Sequence, residues 1–143
     1  MIGTKVIRLG AMTTSHTLFD SVGGEDVFNR IVHGFYTRMR SDDLIGPMYP
    51  SDDWEGAEKR LRMFLVQYWG GPRTYSQERG HPRLRMRHMP FSIGEAERDR
   101  WLEIMSAALA DIPDEELPKP QRDAMWNHMV QVADMLINRF DEQ

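Results

Sequence analysis

The side chains best suited to ligand chemistry lie between Arg79 and Phe91, in the run RGHPRLRMRHMPF. Its first ten residues contain four arginines and two histidines. His81 and His88 are seven residues apart, or about two helical turns, which is too far for the i, i+4 histidine pair that chelates zinc on a helix. Three interpretations stay open: a basic face for phosphate or nucleic acid, a solvent-exposed helix surface, or one histidine acting alone as an axial metal ligand.

Several other kinds of site are excluded or weakly supported. The chain contains no cysteine, which rules out disulfides, thiolate metal sites, cysteine nucleophiles and iron–sulfur clusters. The H-E-x-x-H and G-x-S-x-G motifs are absent, and so is a phosphate-binding glycine loop. Gly70-Gly71 follows a predicted helix rather than opening one, so it is a weak candidate for an anion site. The formal net charge of -4 argues against general nucleic-acid binding.

Length and hydropathy limit the organisation of the chain. Its 143 residues are enough for one hydrophobic core. No apolar run is long enough to span a membrane, and residues 1–16 lack the apolar core of a secretory signal. We therefore expect a cytoplasmic protein with a leader over residues 1–16 and one domain over residues 17–143. A homo-oligomer remains open.

Hydrophobic periodicity in the first half predicts the helices that must position these side chains. An amphipathic series with i, i+3, i+4 and i+7 spacing consists of Phe28, Ile31, Val32, Phe35, Tyr36 and Met39. Gly23-Gly24 should separate this helix from a short one over residues 17–22. A turn with one helical twist is expected between residues 41 and 50.

The next predicted helix begins at Ser51, which is a suitable N-cap, and ends near Trp69. Its inner face should consist of Ala57, Leu61, Phe64, Leu65 and Tyr68. Residues 72–80 are polar and show no period, so a loop is expected there. A short helix should follow this loop in the stretch from His81 to His88.

The second half predicts two more helices. Ser92 and Glu95 match a capping box, ahead of an apolar stripe of Trp101, Ile104, Met105, Ala108, Leu109 and Ile112. The last helix should bury Met125, Met129, Val132, Leu136 and Phe140. No segment alternates with period two, so the fold class is all-α, with about six helices.

The remaining histidines are poor candidates for metal ligation. His16, His33 and His128 lie off the predicted apolar stripes, so we expect them to be exposed. His81 precedes Pro82 at a helix start, where a structural role or a place at the rim of a site is favoured.

The run from Leu61 to Phe91, LRMFLVQYWGGPRTYSQERGHPRLRMRHMPF, resembles the truncated haemoglobins of group II. Four further matches are Gly23-Gly24, Phe35-Tyr36, Tyr49-Pro50 and Trp101. The resemblance covers about Thr17 to Phe140. It implies a truncated globin: a two-over-two helical sandwich around haem b.

The resemblance also assigns roles to individual residues. His88 would be the proximal iron ligand, an expectation that fits the single axial histidine left open above. Tyr36, Tyr49 and Trp101 would stabilise a ligand on the distal side of the iron. The other expected haem contacts are the distal-helix residues Ala57, Leu61 and Phe64 and the rim residues Arg60, Tyr75 and Arg87.

These residues imply a function in binding dioxygen, NO, CO and peroxide at ferrous haem. Ala57 has no hydrogen-bond donor, so stabilisation of the ligand falls to Tyr36, Tyr49 and Trp101, and we expect slow release of oxygen. Peroxidase-like turnover and oxidation of NO, each with an unidentified reductant, are both open. The alternatives are a non-enzymatic sensor or carrier and, more remotely, a haem-free basic module that binds phosphate.

Overall fold

The computed structural model describes residues 17–49 and 51–140, so the predicted leader over residues 1–16 lies outside it. The described residues form helices and no strand, which confirms the all-α prediction. The elements are α1 (Leu18–Ser21), α2 (Glu25–Met39), a 3-10 turn (Gly46–Met48), α3 (Trp54–Tyr68), α4 (Thr74–Arg79), α5 (Leu84–His88), α6 (Glu95–Ala110) and α7 (Lys119–Met135). None of these helices is long and apolar enough to cross a membrane.

Helix α2 is the centre of the core. It packs against α3 on one side and α6 on the other, and α6 packs against α7. Its predicted apolar stripe is buried throughout, and Phe28, Ile31 and Phe35 have no exposed surface. This pairing of α2 with α3 and of α6 with α7 is the arrangement expected for a two-over-two sandwich.

Helix α3 differs in detail from its prediction. Its N-cap is Asp53 rather than Ser51, and the Asp53 carboxylate accepts the Gly56 N–H. Ala57 and Leu65 are buried as expected. Tyr68 is 51% exposed, so the prediction that it lies on the inner face of the helix was wrong. Met63 and Val66 are buried on α3 in its place.

Helix α4 lies where a loop was predicted. Only Tyr75 is buried in it, so the segment carries no amphipathic period. The Gln67 side chain of α3 instead donates to Ser76 Oγ (2.7 Å) and accepts the Ser76 N–H (2.9 Å). A contact between helices, rather than local propensity, therefore stabilises this element.

The predicted caps and ends of α6 and α7 also need correction. Gly94 caps α6 and its N–H donates to Glu97, so the Ser92–Glu95 box is wrong. The α6 stripe is confirmed, with Ile104, Met105, Ala108, Leu109 and Ile112 buried and Trp101 half-buried. Helix α7 ends at Met135, and Phe140 lies beyond it with 81% exposure.

The C-terminal end of α3 packs closely on α1. The Phe19 N–H donates to the Trp69 carbonyl (3.0 Å). Gly70 adopts a φ of 103°, and a Cβ there would lie 2.4 Å from Thr17 Cβ. Gly80 also has a positive φ, of 76°, but a Cβ there would meet nothing within 4 Å.

We expect Gly70→Ala to lower the free energy of unfolding more than Gly80→Ala does. Both variants place an L-residue in the left-handed region, at a cost of about 1–2 kcal/mol. Only the Cβ at position 70 also pushes α1 away from α3. Denaturant unfolding of both variants measures the difference, and equal losses would show that the contact with Thr17 contributes nothing.

Candidate functional site

His88 is the last residue of α5 and is half-buried. Its Nδ1 lies 2.7 Å from the Leu84 carbonyl oxygen. Because a carbonyl only accepts hydrogen bonds, the ring hydrogen is on Nδ1 and the lone pair is on Nε2. A metal-ligating histidine is commonly oriented in this way by a backbone carbonyl. Nε2 of His88 is therefore the ring nitrogen that a metal could bind.

The segment that follows His88 is held by Asn138, from the chain beyond α7. The Asn138 amide donates to the carbonyls of Phe91 (2.8 Å) and His88 (3.3 Å). Its side-chain oxygen accepts the Ile93 N–H (2.8 Å), and its own N–H donates to the Ile93 carbonyl (2.8 Å). These hydrogen bonds thus fix the backbone from His88 to Ile93 to the chain just after α7.

Tyr36 and Tyr49 lie together on the α2 side of the site. Their ring centroids are 5.7 Å apart in an edge-to-face arrangement. Tyr36 is buried, and its hydroxyl donates to the Ala57 carbonyl of α3 (3.2 Å). Because a phenol hydroxyl has one hydrogen, the Tyr36 hydroxyl, which already donates to the backbone, has no second hydrogen for a ligand.

Tyr49 has a different environment. Burial of its hydroxyl raises the pKa of Tyr49 to about 12, and a hydrogen bond with Trp101 opposes part of this rise. The Tyr49 hydroxyl donates to no described residue, so its hydrogen remains available to a ligand. Burial also raises the pKa of Tyr36 above that of a free phenol. Both tyrosines are therefore protonated at neutral pH.

Trp101 joins this aromatic group from α6. Its ring centroid is 5.2 Å from that of Phe35. The structure thus brings together the three residues that the family resemblance assigned to the distal side, Tyr36, Tyr49 and Trp101. Each comes from a different part of the chain: α2, the loop after the 3-10 turn, and α6.

The predicted distal-helix residues lie on α3. Ala57 is buried and contributes only its carbonyl, to Tyr36. Leu61 and Phe64 are half-buried and pack against the core. Together with the free Nε2 of His88, this set of one imidazole, apolar side chains and a phenol donor fits an iron porphyrin.

The three predicted rim residues already contact the protein itself. Arg60 pairs with Asp53 (3.2 Å). Arg87 donates to the carbonyls of Pro82 (2.8 Å) and Arg79 (3.1 Å), so it holds the loop between α4 and α5.

Tyr75, the third of them, is buried on α4. Its ring is edge-to-face with Phe64, at 5.6 Å. The Arg79 guanidinium lies 6.0 Å from the centre of the Tyr75 ring. Tyr75 therefore joins α4 to the apolar face of α3 that carries Leu61 and Phe64.

Three of the other histidines are in the described part of the chain, and His16 is outside it. His33 is exposed, as predicted, and its Nδ1 lies 3.1 Å from Glu58. His81 is also exposed and accepts the Arg83 N–H. The prediction for His128 was wrong, because its ring is half-buried and stacks on Tyr68 at 3.8 Å. This burial lowers the pKa of His128.

Comparison with known proteins gives a consistent set of similarities. Residues 17–138 match the family model described as bacterial-like globin. Over 86 residues the chain is 45% identical to Group 2 truncated hemoglobin YjbI of Bacillus subtilis. That match covers 60% of this chain and 64% of YjbI, so it spans less than two thirds of that relative.

Two crystal structures are similar over most of the chain. Haemoglobin from Chloroflexus aurantiacus superposes with a TM-score of 0.81 and 46% identity, covering 87% of this chain and all of that one. The structure described as truncated oxygen-avid haemoglobin from Bacillus subtilis superposes with a TM-score of 0.79 and 32% identity, covering 86% of this chain and all of that one.

We expect Asn138→Ala to loosen the segment after His88. The variant removes three side-chain hydrogen bonds, each worth about 0.5–1.5 kcal/mol net. Amide hydrogen exchange at Ile93 should therefore become faster. Asn127→Ala, at an exposed position on α7, is the matched control. Equal exchange rates at Ile93 in the two variants would mean that the Asn138 side chain does not restrain this segment.

Proposed function

Since this chain belongs to the bacterial-like globins, and among them to the group II truncated haemoglobins, we propose that it binds dioxygen at ferrous haem and releases it slowly. Membership of the haemoglobins implies a haem cofactor and binding of diatomic ligands. The observation that carries the finer proposal is the pair of phenols, because the Tyr36 hydroxyl donates to the Ala57 carbonyl, whereas the Tyr49 hydroxyl donates to no described residue.

His88 is proposed as the proximal ligand. Haem would supply a ferrous iron that binds diatomic molecules reversibly. The bond from His88 Nδ1 to Leu84 makes Nε2 more electron-rich and fixes the plane of the ring. Leu61 and Phe64 would provide the apolar surface against which the cofactor packs, and would keep bulk water out.

Tyr49 is proposed as the direct donor to the bound ligand. Haem held here would give bound dioxygen negative character, so the Tyr49 hydroxyl beside it would slow its release. Trp101 would act through Tyr49, because donation to the phenol oxygen polarises the phenol O–H. Tyr36 would have a smaller effect, since its hydrogen is bound to the Ala57 carbonyl.

The magnitude of this effect follows from the strength of one hydrogen bond. A bond to a group with charge is worth about 1.5–3 kcal/mol. That range corresponds to roughly a ten- to hundredfold slower dissociation. The Bacillus subtilis haemoglobin that this chain resembles is itself described as oxygen-avid, which supports the proposal.

Slow release favours redox chemistry over delivery of oxygen. We propose oxidation of NO or turnover of peroxide with an external one-electron reductant as the use of the site. Tyr36, Tyr49 and Trp101 are oxidisable side chains within one aromatic group, and such a group suits the peroxide reaction. Fast release of oxygen would favour a carrier instead.

We expect Tyr49→Phe to raise the oxygen dissociation rate constant roughly ten- to hundredfold, because the direct donor is lost. Trp101→Phe should raise the rate constant less than Tyr49→Phe does. Tyr36→Phe is the matched control and should change it least. Stopped-flow mixing of the oxygenated protein with excess CO measures all four proteins, and a fast wild-type rate that is unchanged by Tyr49→Phe would refute the retention proposal.

The rate constant should also be independent of pH between 6 and 10. Burial holds the pKa of Tyr49 at about 12, so its phenol keeps the donor hydrogen over this range. Loss of a proton would remove the donor and accelerate release. The same stopped-flow experiment over that pH range tests this, and an increase with a midpoint near pH 9 or 10 would show that the Tyr49 hydroxyl is not buried as described.

A further inference from the structure

The arginines of this chain fall into two groups according to their ion pairs. Half of the fourteen described arginines pair with Asp or Glu. These are Arg30, Arg38, Arg60, Arg98, Arg100, Arg122 and Arg139. Of the other half, five lie together between residues 73 and 87, and the remaining two are Arg40 and Arg62.

The five clustered arginines are Arg73, Arg79, Arg83, Arg85 and Arg87. In the described part of the chain, none of them makes an ion pair. The one acidic residue between positions 72 and 94 is Glu78, and it faces Lys59 at 3.8 Å. A protein with a formal net charge of -4 therefore keeps one strongly positive segment uncompensated.

Four of these arginines are exposed and form what we call the basic surface: Arg73, Arg79, Arg83 and Arg85. Helix α4 has six residues, so its two ends are only about 9 Å apart. Arg87 joins α5 to the end of α4 through the Arg79 carbonyl. Two methionines on the same segment are also exposed, Met86 at 55% and Met89 at 73%.

A solvated helix face and the haem carboxylates are the simpler explanations for this charge. Solvated arginines elsewhere in the chain are generally compensated, as the seven pairs show. Haem has two propionates, which could neutralise at most two of the five arginines. At least three positive charges would remain next to the helix that carries His88.

We propose that the basic surface is the docking site for an acidic electron-transfer protein that reduces the haem iron. This proposal rests on the proposed function, which needs an external one-electron reductant. The reduced partner would lose one electron, and the ferric iron would gain it. Opposite charges would steer the partner to α5, and Met86 and Met89 would supply the apolar contact that protein interfaces contain.

Nucleic acid is a weaker candidate for this surface. The rest of the chain carries net negative charge and would repel a long polyanion. Two exposed methionines on the same segment, Met86 and Met89, also suit a protein partner better than a phosphate backbone.

The test uses the ferric haem-loaded protein and a reduced acidic flavodoxin in a stopped-flow spectrometer. The second-order rate constant should fall as salt rises, because the encounter is electrostatically steered. Arg73→Glu/Arg85→Glu should lower it at least about tenfold at low ionic strength, with convergence on wild type at high salt. Arg40→Glu/Arg62→Glu changes the net charge equally, also at arginines without ion pairs, and should have a much smaller effect.

Three results would overturn the proposal. The first is a rate constant that is insensitive to salt, and the second is a rate constant that is lowered equally in both double variants. The third is tight binding of a fluorescent single-stranded oligonucleotide at physiological salt that only Arg73→Glu/Arg85→Glu removes, while reduction by flavodoxin is unchanged. CO binding and the haem midpoint potential are measured in every variant, so loss of the basic surface is distinguished from failure of the haem site itself.

Discussion

The hydrogen bond from His88 Nδ1 to the Leu84 carbonyl is the interaction on which the site depends. It fixes the tautomer, so that Nε2 has the only free lone pair of the ring. Helix α5 has five residues and is too short to be stable alone. Arg87 holds its beginning through Pro82, and Asn138 holds the backbone after its end. The Nε2 nitrogen that we propose as the iron ligand is thus positioned by contacts with two other parts of the chain.

In the aromatic group of Tyr36, Tyr49 and Trp101, the existing hydrogen bonds determine which phenol hydrogen is available to a ligand. Tyr36 gives its hydrogen to the Ala57 carbonyl, where it ties α2 to α3. Trp101 opposes part of the rise that burial causes in the pKa of Tyr49, and no described residue accepts the Tyr49 hydrogen. Three aromatic residues at one site therefore have separate tasks. Tyr36 ties α2 to α3, and we propose that Tyr49 donates to the ligand and that Trp101 strengthens this donor.

Local patterns predict much of this molecule, and long-range contacts account for what they miss. The buried stripes of α2 and α6 follow from spacing alone, because one helix face must enter the core. Local sequence does not predict helix α4, because the contact of Gln67 with Ser76 stabilises it. Nor does it predict the hydrogen bonds of Asn138 to the segment after His88, because Asn138 lies about 50 residues further along the chain. His128 was misplaced for the same reason: its neighbour Tyr68 is 60 positions away along the chain. For the site, spacing left His88 as one candidate among several, and the family resemblance selected it.

The central claim is that His88 binds the haem iron through Nε2. Its most direct test is the resonance Raman spectrum of the ferrous, ligand-free haem protein, for wild type and His88→Gly. Wild type should show an iron–imidazole stretching band, and His88→Gly should lack it until free imidazole is added. An iron–imidazole band that persists in His88→Gly without added imidazole would contradict the account.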